Sequence, residues 1–183
     1  SDNSFQRFSA SGAALGRMDN LNYGAEILEN IMLQMGVQFF DQGGTQALFD
    51  KSQTESTNGR KQNLGVEALN FFTSFADNRF QHHSWNALLA SPDSQTKDLE
   101  AFARGKTSMT FGYSKDLKTV SDLLEELESS RQEYVNDKNI RVAFLPQMQD
   151  PSISADRQVI GKVRALAVSR ATQYPDTAWS FLK

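Results

Sequence analysis

The sequence contains no cysteine, no long hydrophobic run and no strong excess of either charge. Without cysteine the chain can form neither a disulfide framework nor a thiol active site, although this leaves its compartment open. The longest apolar runs cover only a few residues, which excludes a membrane-spanning helix. The net charge is −3 and the basic residues form no stripe, so no nucleic-acid partner is indicated.

Residues that carry chemistry are also scarce. His82 and His83 are the only two histidines and are adjacent, so their side chains point in different directions and do not form a usual metal pair. The sequence has no nucleophile elbow, no Walker-type phosphate loop and no GxGxxG motif. We therefore predict no catalytic residues, no metal and no cofactor, and we expect both histidines in an exposed loop.

With 39% hydrophobic and 10% aromatic residues, the chain can bury one core or form one lobe of a larger structure. Its hydrophobic periodicity alternates between strands and helices, which predicts a mixed α/β domain that is richer in helix than in strand. The predicted helices cover 24–35, with Asn20 or Asn22 as cap, then 64–76, 97–104, 115–134 and a last helix from Pro175. The predicted strands cover 8–15, 37–41, 107–113, 140–145 and 163–168, and the polar segment 51–63 is predicted to be an exposed loop.

The stretch 99–117 is the most informative part of the chain. A short helix ends at Gly105, a strand follows, and the strand breaks at Gly112, Tyr113 and Ser114 before another helix. Strand-to-helix junctions of this kind are where open α/β folds bind ligands. Asp116 is the only acid beside this turn, which disfavours a glycosidase because that reaction needs two carboxylates flanking a pocket.

Two aromatic residues stand apart from the periodic pattern. Trp85 lies between Ser84 and Asn86 in a polar, irregular stretch, and Tyr113 follows a glycine at a strand end. Aromatic rings beside hydroxyls and amides suit carbohydrate recognition, because the ring packs on the apolar face of a sugar while polar neighbours bind its hydroxyls. The alternative is that Trp85 fills a gap between loop and helix. If both residues bind ligand, they are expected to share one concave face.

The acidic run 122–128 belongs to a helical pattern in which Leu123, Leu124 and Leu127 form an apolar stripe between the charges. A solvated helix face explains this pattern. The alternative, an interaction module that uses the helix as a partner surface, requires an exposed apolar patch on it.

Four stretches resemble the extracytoplasmic solute-binding proteins of ABC importers, in the family 1 sugar-binding group. They are SGAALGRMDNLNYGAEILENIMLQMG; EALNFFTSFAD followed by HHSWN; LEAFARGKTSMTFGYSKDL; and VAFLPQ followed by RALAVSRATQYPDTAWSFLK. They span nearly the whole chain in the family's order. The resemblance implies that 1–183 is a single domain with a periplasmic-binding-protein-like (type II) α/β fold, helix-rich with a small mixed β-sheet. This domain would be most of the C-terminal lobe, and the N-terminal lobe would be missing.

The resemblance also implies a function. Such a receptor would bind a sugar between its lobes and deliver it to the permease subunits. It would be a non-enzyme in the periplasm or on the cell surface, with or without a lipid anchor. Gly112, Tyr113 and Ser114 would occupy the turn that lines the ligand cleft, Trp85 would present a cleft aromatic, and Trp179 would lie in the core of the closing helix. The isolated lobe is expected to bind the solute poorly, because half a cleft loses the enclosure that makes such sites tight.

Two features depart from the family pattern. The family commonly has an aromatic residue and a glycine before its Ala-Val-Ser strand, where this chain has Lys162, Val163, Arg164 and Ala165. The two cations leave an anionic or phosphorylated solute open as an alternative to a sugar. The region 117–134 is also longer and more acidic than its counterpart, as in a lineage-specific helix.

Overall fold

The computed structural model describes residues 11–54, 61–148, 157–162 and 167–182. The elements in chain order are β1 (Ser11–Ala13), α1 (Gly24–Gln34), β2 (Gln53–Thr54), β3 (Lys61–Gln62), α2 (Leu64–Ser74), α3 (Lys97–Ala103), β4 (Thr107–Met109), α4 (Asp116–Ser129), a 3₁₀ turn (Asp137–Asn139) and α5 (Pro175–Leu182). The described part of the chain is thus a small α/β structure, as the periodicity predicts.

The parallel pair of β1 and β4 is at the centre of the fold. Ser11 lies opposite Thr107 and Ala13 opposite Met109, and the Ala14 amide donates to the Met109 carbonyl at 3.0 Å. Parallel neighbours need a long crossover, and here the crossover contains α1, α2 and α3. The carboxyl ends of both strands therefore lie at the same edge of the pair.

Two apolar clusters hold the helices in place. The first combines Ala14, Ile27, Phe72 and Trp85 with neighbouring leucines and alanines, and joins α1 and α2 to the strand pair. In the second, Leu99 and Ala103 of α3 pack with the apolar residues of α4, namely Val120, Leu124 and Leu127. α4 has charged residues on its other faces, so its amphipathic sequence is explained by this single contact.

A buried asparagine fastens the irregular stretch around Trp85 to the loop that precedes α1. Asn20 is fully buried, accepts the Trp85 Nε1 hydrogen at 2.8 Å, and donates from Nδ2 to the carbonyls of Asn86 and Ala90 at 3.0 and 3.1 Å. The prediction that Asn20 or Asn22 caps α1 is wrong, because Tyr23 occupies the cap position without a side-chain cap bond. The polar capacity of Asn20 is used in long-range contacts instead.

Helices lie where the sequence predicts, except that the helix predicted over 115–134 ends at Ser129, but several strands do not. No strand forms over 37–41, where Phe40 makes one isolated bridge to Ala47, or over 140–145. Segment 107–113 forms a strand only to Met109, and segment 51–63 contains the antiparallel pair of β2 and β3 instead of a plain loop. Residues 1–10, 55–60 and 163–166 lie outside the described residues, so parts of the predicted strands 8–15 and 163–168 do too. A strand requires a partner at a suitable edge, and the local pattern does not supply one.

The placement of Trp179 is a further correction. The resemblance implies a core position, but Trp179 is 52% exposed and Phe181 of the same helix is 89% exposed. The expectation is wrong because α5 leaves both rings largely in solvent. Among the described residues, no helix combines the length and the apolar character needed to cross a membrane.

Candidate functional site

The candidate site is the turn between β4 and α4, at the carboxyl edge of the parallel pair. The chain leaves β4 at Met109, and α4 begins at Asp116, so Gly112, Tyr113 and Ser114 form the connection. Ligands of open α/β folds bind outside the carboxyl ends of the strands, where helix N-termini also present free N–H groups. The sequence prediction of a strand-to-helix junction at these residues is confirmed.

The Asp116 carboxylate organises the turn. It is buried, accepts the Tyr113 amide hydrogen at 2.7 Å through Oδ2, and accepts the Tyr23 hydroxyl hydrogen at 2.9 Å through Oδ1. A Cβ at Gly112 would lie 2.9 Å from Asp116 Oδ2, which is closer than real Cβ contacts. Glycine at this position therefore allows the carboxylate to reach the backbone of the next residue.

Two half-buried tyrosine rings pack against each other at the site. Tyr23 and Tyr113 pack edge to face, with ring centroids 5.0 Å apart and an interplanar angle of 86°. The Lys115 ammonium lies 5.7 Å from the Tyr23 centroid, and the Lys162 ammonium lies 5.8 Å from the Tyr113 centroid. Burial, together with the hydrogen bond to Asp116, raises the pKa of Tyr23, so this phenol remains a neutral donor.

A second buried carboxylate supports the turn from behind. Asp98, 1% exposed, accepts the Asn22 amide hydrogen at 2.7 Å and the Thr110 hydroxyl hydrogen. Burial raises the pKa of Asp98, while these hydrogen bonds oppose the rise and the nearby Asp116 charge adds to it. Asp98 thus ties the end of β4 and the loop before α1 to the start of α3.

One face of α1 binds two later segments of the chain. Glu26, Asn30 and Gln34, spaced four residues apart, form the α1 polar stripe. Glu26 pairs with the Lys162 ammonium, Asn30 Oδ1 accepts the Ile160 amide hydrogen at 2.9 Å, and Gln34 Oε1 accepts the Met148 amide hydrogen at 2.7 Å. Gln34 Nε2 also donates to the carbonyls of Pro146 and Gln158, at 3.2 and 3.3 Å. The stripe therefore fixes segments 145–148 and 157–162, which we name the docked segments.

A cavity of about 430 Å³ lies between α1, α2, the strand ends and the docked segments. Gly112 and Tyr113 line it, together with Tyr23 and residues of the α1 polar stripe. Its remaining walls are mainly apolar. Among the described residues, the predicted turn thus borders a cavity of ligand-binding size.

The structure does not place the four predicted site residues together. Trp85 is fully buried in the first apolar cluster and does not line the cavity, so the expected concave face shared with Tyr113 is not present. Trp85 instead fills a gap in the structure, which is the alternative interpretation, and its indole N–H donates to Asn20. Ser114 is exposed on the turn but lies outside the cavity lining.

Sequence reasoning missed Tyr23 and the organising role of Asp116. An acid in the first turn of α4 is a recognisable local signal, because it lies close to the free N–H groups of the preceding turn. Tyr23 gives no such signal, since 90 residues separate it from Tyr113 and only the fold brings the rings together.

The remaining candidates carry no chemistry in the described residues. His82 Nε2 lies 2.6 Å from Ser74 Oγ, but the Ser74 hydroxyl donates to the Phe71 carbonyl, so this pair is not an activated nucleophile. His82 is exposed and His83 half-buried. No group of three or more His, Asp or Glu side chains that could hold a metal ion occurs in the described ranges. On α4, Leu117 is the large apolar side chain that remains exposed, which is no patch for a partner.

Comparisons with known proteins identify no relative of this chain. No family model matches the chain, and neither a curated protein nor a solved structure matches it. The resemblance to solute-binding proteins therefore remains a prediction from the residues.

Proposed function

We propose that this chain is a lobe of an extracytoplasmic solute-binding protein with the type II fold, which delivers a carbohydrate-like solute to an ABC permease. It would act by binding, without catalysis or a cofactor. The solute would lie against the turn of Gly112 and Tyr113, with the missing N-terminal lobe closing over it. Ser114 would bind it through the exposed side of the same turn.

The Tyr113 turn is the observation that supports this proposal most. Its ring lies at the carboxyl edge of a parallel strand pair. The hydrogen bond from the Tyr113 backbone N–H to Asp116 and the edge-to-face contact with Tyr23 hold it in place. A pre-positioned aromatic ring can pack on the apolar face of a sugar without a large ordering cost. Ser114, which is exposed on the same turn, places a hydroxyl beside the ring, where it can bind the hydroxyls of a solute.

The alternative of an anionic solute receives less support. Lys162, one of the two cations that suggested it, forms an ion pair with Glu26, and the pair raises the pKa of Lys162 and lowers that of Glu26. Arg164, the other cation, lies outside the described residues. An ammonium that already has a carboxylate partner offers little net charge to an anion.

The test is a thermal-shift screen of the two-lobed protein against oligosaccharides, polyols and sugar phosphates, followed by calorimetric titration of each positive solute. We expect a sugar to raise the Tm, and Tyr113→Ala to weaken its affinity about tenfold through loss of ring contact. Tyr174→Ala serves as the matched control, because Tyr174 is 71% exposed and lies just before α5. A flat response to sugars, with a shift for another solute class, would refute the carbohydrate assignment.

A further inference from the structure

The cavity behind the Tyr113 turn has mainly apolar walls. Ile27 and Ile31 of α1, Phe71 and Phe75 at the α2 end, and Phe111 after β4 all contribute to its walls. Its volume of about 430 Å³ falls within the range of small-molecule sites. Apolar walls of this kind favour apolar guests.

Most polar side chains in the cavity lining already bind other groups of the chain. Glu26 binds the Lys162 ammonium, Asn30 donates to the Glu26 carbonyl at 2.8 Å and accepts from Ile160, and Gln34 uses both ends of its amide on the docked segments. The Tyr23 hydroxyl donates to Asp116. A molecule entering the cavity therefore meets few polar groups that are available for new hydrogen bonds.

This arrangement selects a class of guest. A polyhydroxylated molecule inside the cavity would lose hydration from hydroxyls that find no partner there, which is costly. A hydrocarbon group loses no hydrogen bonds on entry and gains contact with the aliphatic and aromatic walls. Discrimination of this kind is strong when the polar groups cannot be matched.

We propose that this cavity is a binding site for a compact hydrocarbon group, alkyl or aryl. It shares Gly112 and Tyr113 with the turn whose exposed side, at Ser114, is assigned to the sugar-like solute. The site uses walls from α1, α2 and the strand ends, with the docked segments as its outer wall. The walls named here belong to this chain, so binding can be measured on residues 1–183.

The test uses n-butylbenzene as the probe and residues 1–183 with ¹³C-labelled isoleucine and methionine methyl groups. We expect saturable shifts of the Ile31 and Met109 methyl signals, and none with glucose at the same concentrations. Failure of sugar binding in the two-lobed protein would leave this result untouched, so the two proposals fail separately.

Two variants fill the cavity, so that loss of folding in one does not remove the comparison. Met109→Trp adds volume from the more open side, where Met109 is 54% exposed, and Ile31→Phe adds it from α1. We expect at least a tenfold loss of n-butylbenzene affinity in each folded variant. Leu88→Trp, at a residue that is 63% exposed and away from the cavity, should bind as the wild type does. The absence of saturable shifts in the wild type, or unchanged affinity in the filled variants, would overturn the proposal.

Discussion

Replacing Asn20 with alanine should be among the most damaging single changes in this chain. The substitution leaves two buried groups without their partner, the Trp85 indole N–H and the Ala90 carbonyl, and removes one of the donors to the Asn86 carbonyl, which also accepts from the Leu89 amide at 3.5 Å. Each buried unsatisfied group costs about 1–3 kcal/mol, and partial relaxation reduces the sum for the two groups to about 2–4 kcal/mol. In a chain of this size, such a loss lowers the Tm on the order of 10 °C.

Guanidinium denaturation followed by far-UV circular dichroism measures this loss in the free energy of unfolding. Trp85→Phe removes the indole donor from the same bond, so Asn20→Ala and Trp85→Phe together should cost less than the sum of the single changes. Asn70→Ala is the control, because Asn70 is exposed on α2 and should change the free energy of unfolding by no more than about 0.5 kcal/mol. A loss below about 1 kcal/mol for Asn20→Ala, or strict additivity with Trp85→Phe, would contradict the assigned hydrogen bonds.

Three further changes test other parts of the structure. Gly16→Ala should lower the free energy of unfolding by about 2 kcal/mol or more in denaturant titration, because Gly16 has φ +103° and an added Cβ would lie 2.6 Å from the Ala76 nitrogen. Gly12→Ala is the control, since an added Cβ there meets open space. Because the folded-state pKa of Asp98 is raised, its contribution to stability is greatest below the unfolded value near 3.8 and is lost as pH rises. The free energy of unfolding of Asp98→Asn should therefore gain on that of the wild type between pH 4 and 7, and a constant difference would contradict burial of the charge. Glu26→Gln should lower the protection factor of the Ile160 amide against hydrogen exchange. In the wild type, where the pKa of Glu26 is lowered, this protection factor should fall only as the pH drops below about 4.5.

The helices could be predicted from sequence because their signals are local. Asn63 caps α2 by accepting the Val66 amide hydrogen at 3.1 Å, and Gly36 and Gly105, both with positive φ, follow the ends of α1 and α3. Pro175 begins α5 as expected. In each case a few neighbouring residues determine the boundary.

Strands and the surroundings of Trp85 could not be predicted in the same way. Val142 and Phe144 have the alternation of a strand, yet they are 76% and 80% exposed because no described neighbour pairs with them. Trp85 has polar neighbours in sequence, but its partner Asn20 is 65 residues away and allows the whole ring to be buried. The candidate turn was predictable to the extent that Gly112 and Asp116 lie close in sequence, whereas its second ring, Tyr23, comes from the fold.

The hydrogen bonds of the α1 polar stripe constrain the sequence of α1 more than the sequence of the docked segments. Asn30 and Gln34 bind main-chain atoms of Pro146, Met148 and Ile160, and every amino acid except proline offers the same N–H and C=O groups. Apart from Lys162, whose ammonium pairs with Glu26, the side chains of the docked segments can therefore change over evolution while the attachment persists. Asn30 and Gln34 on α1 cannot change without losing these bonds, so sequence variation among relatives of this chain should be concentrated in the docked segments.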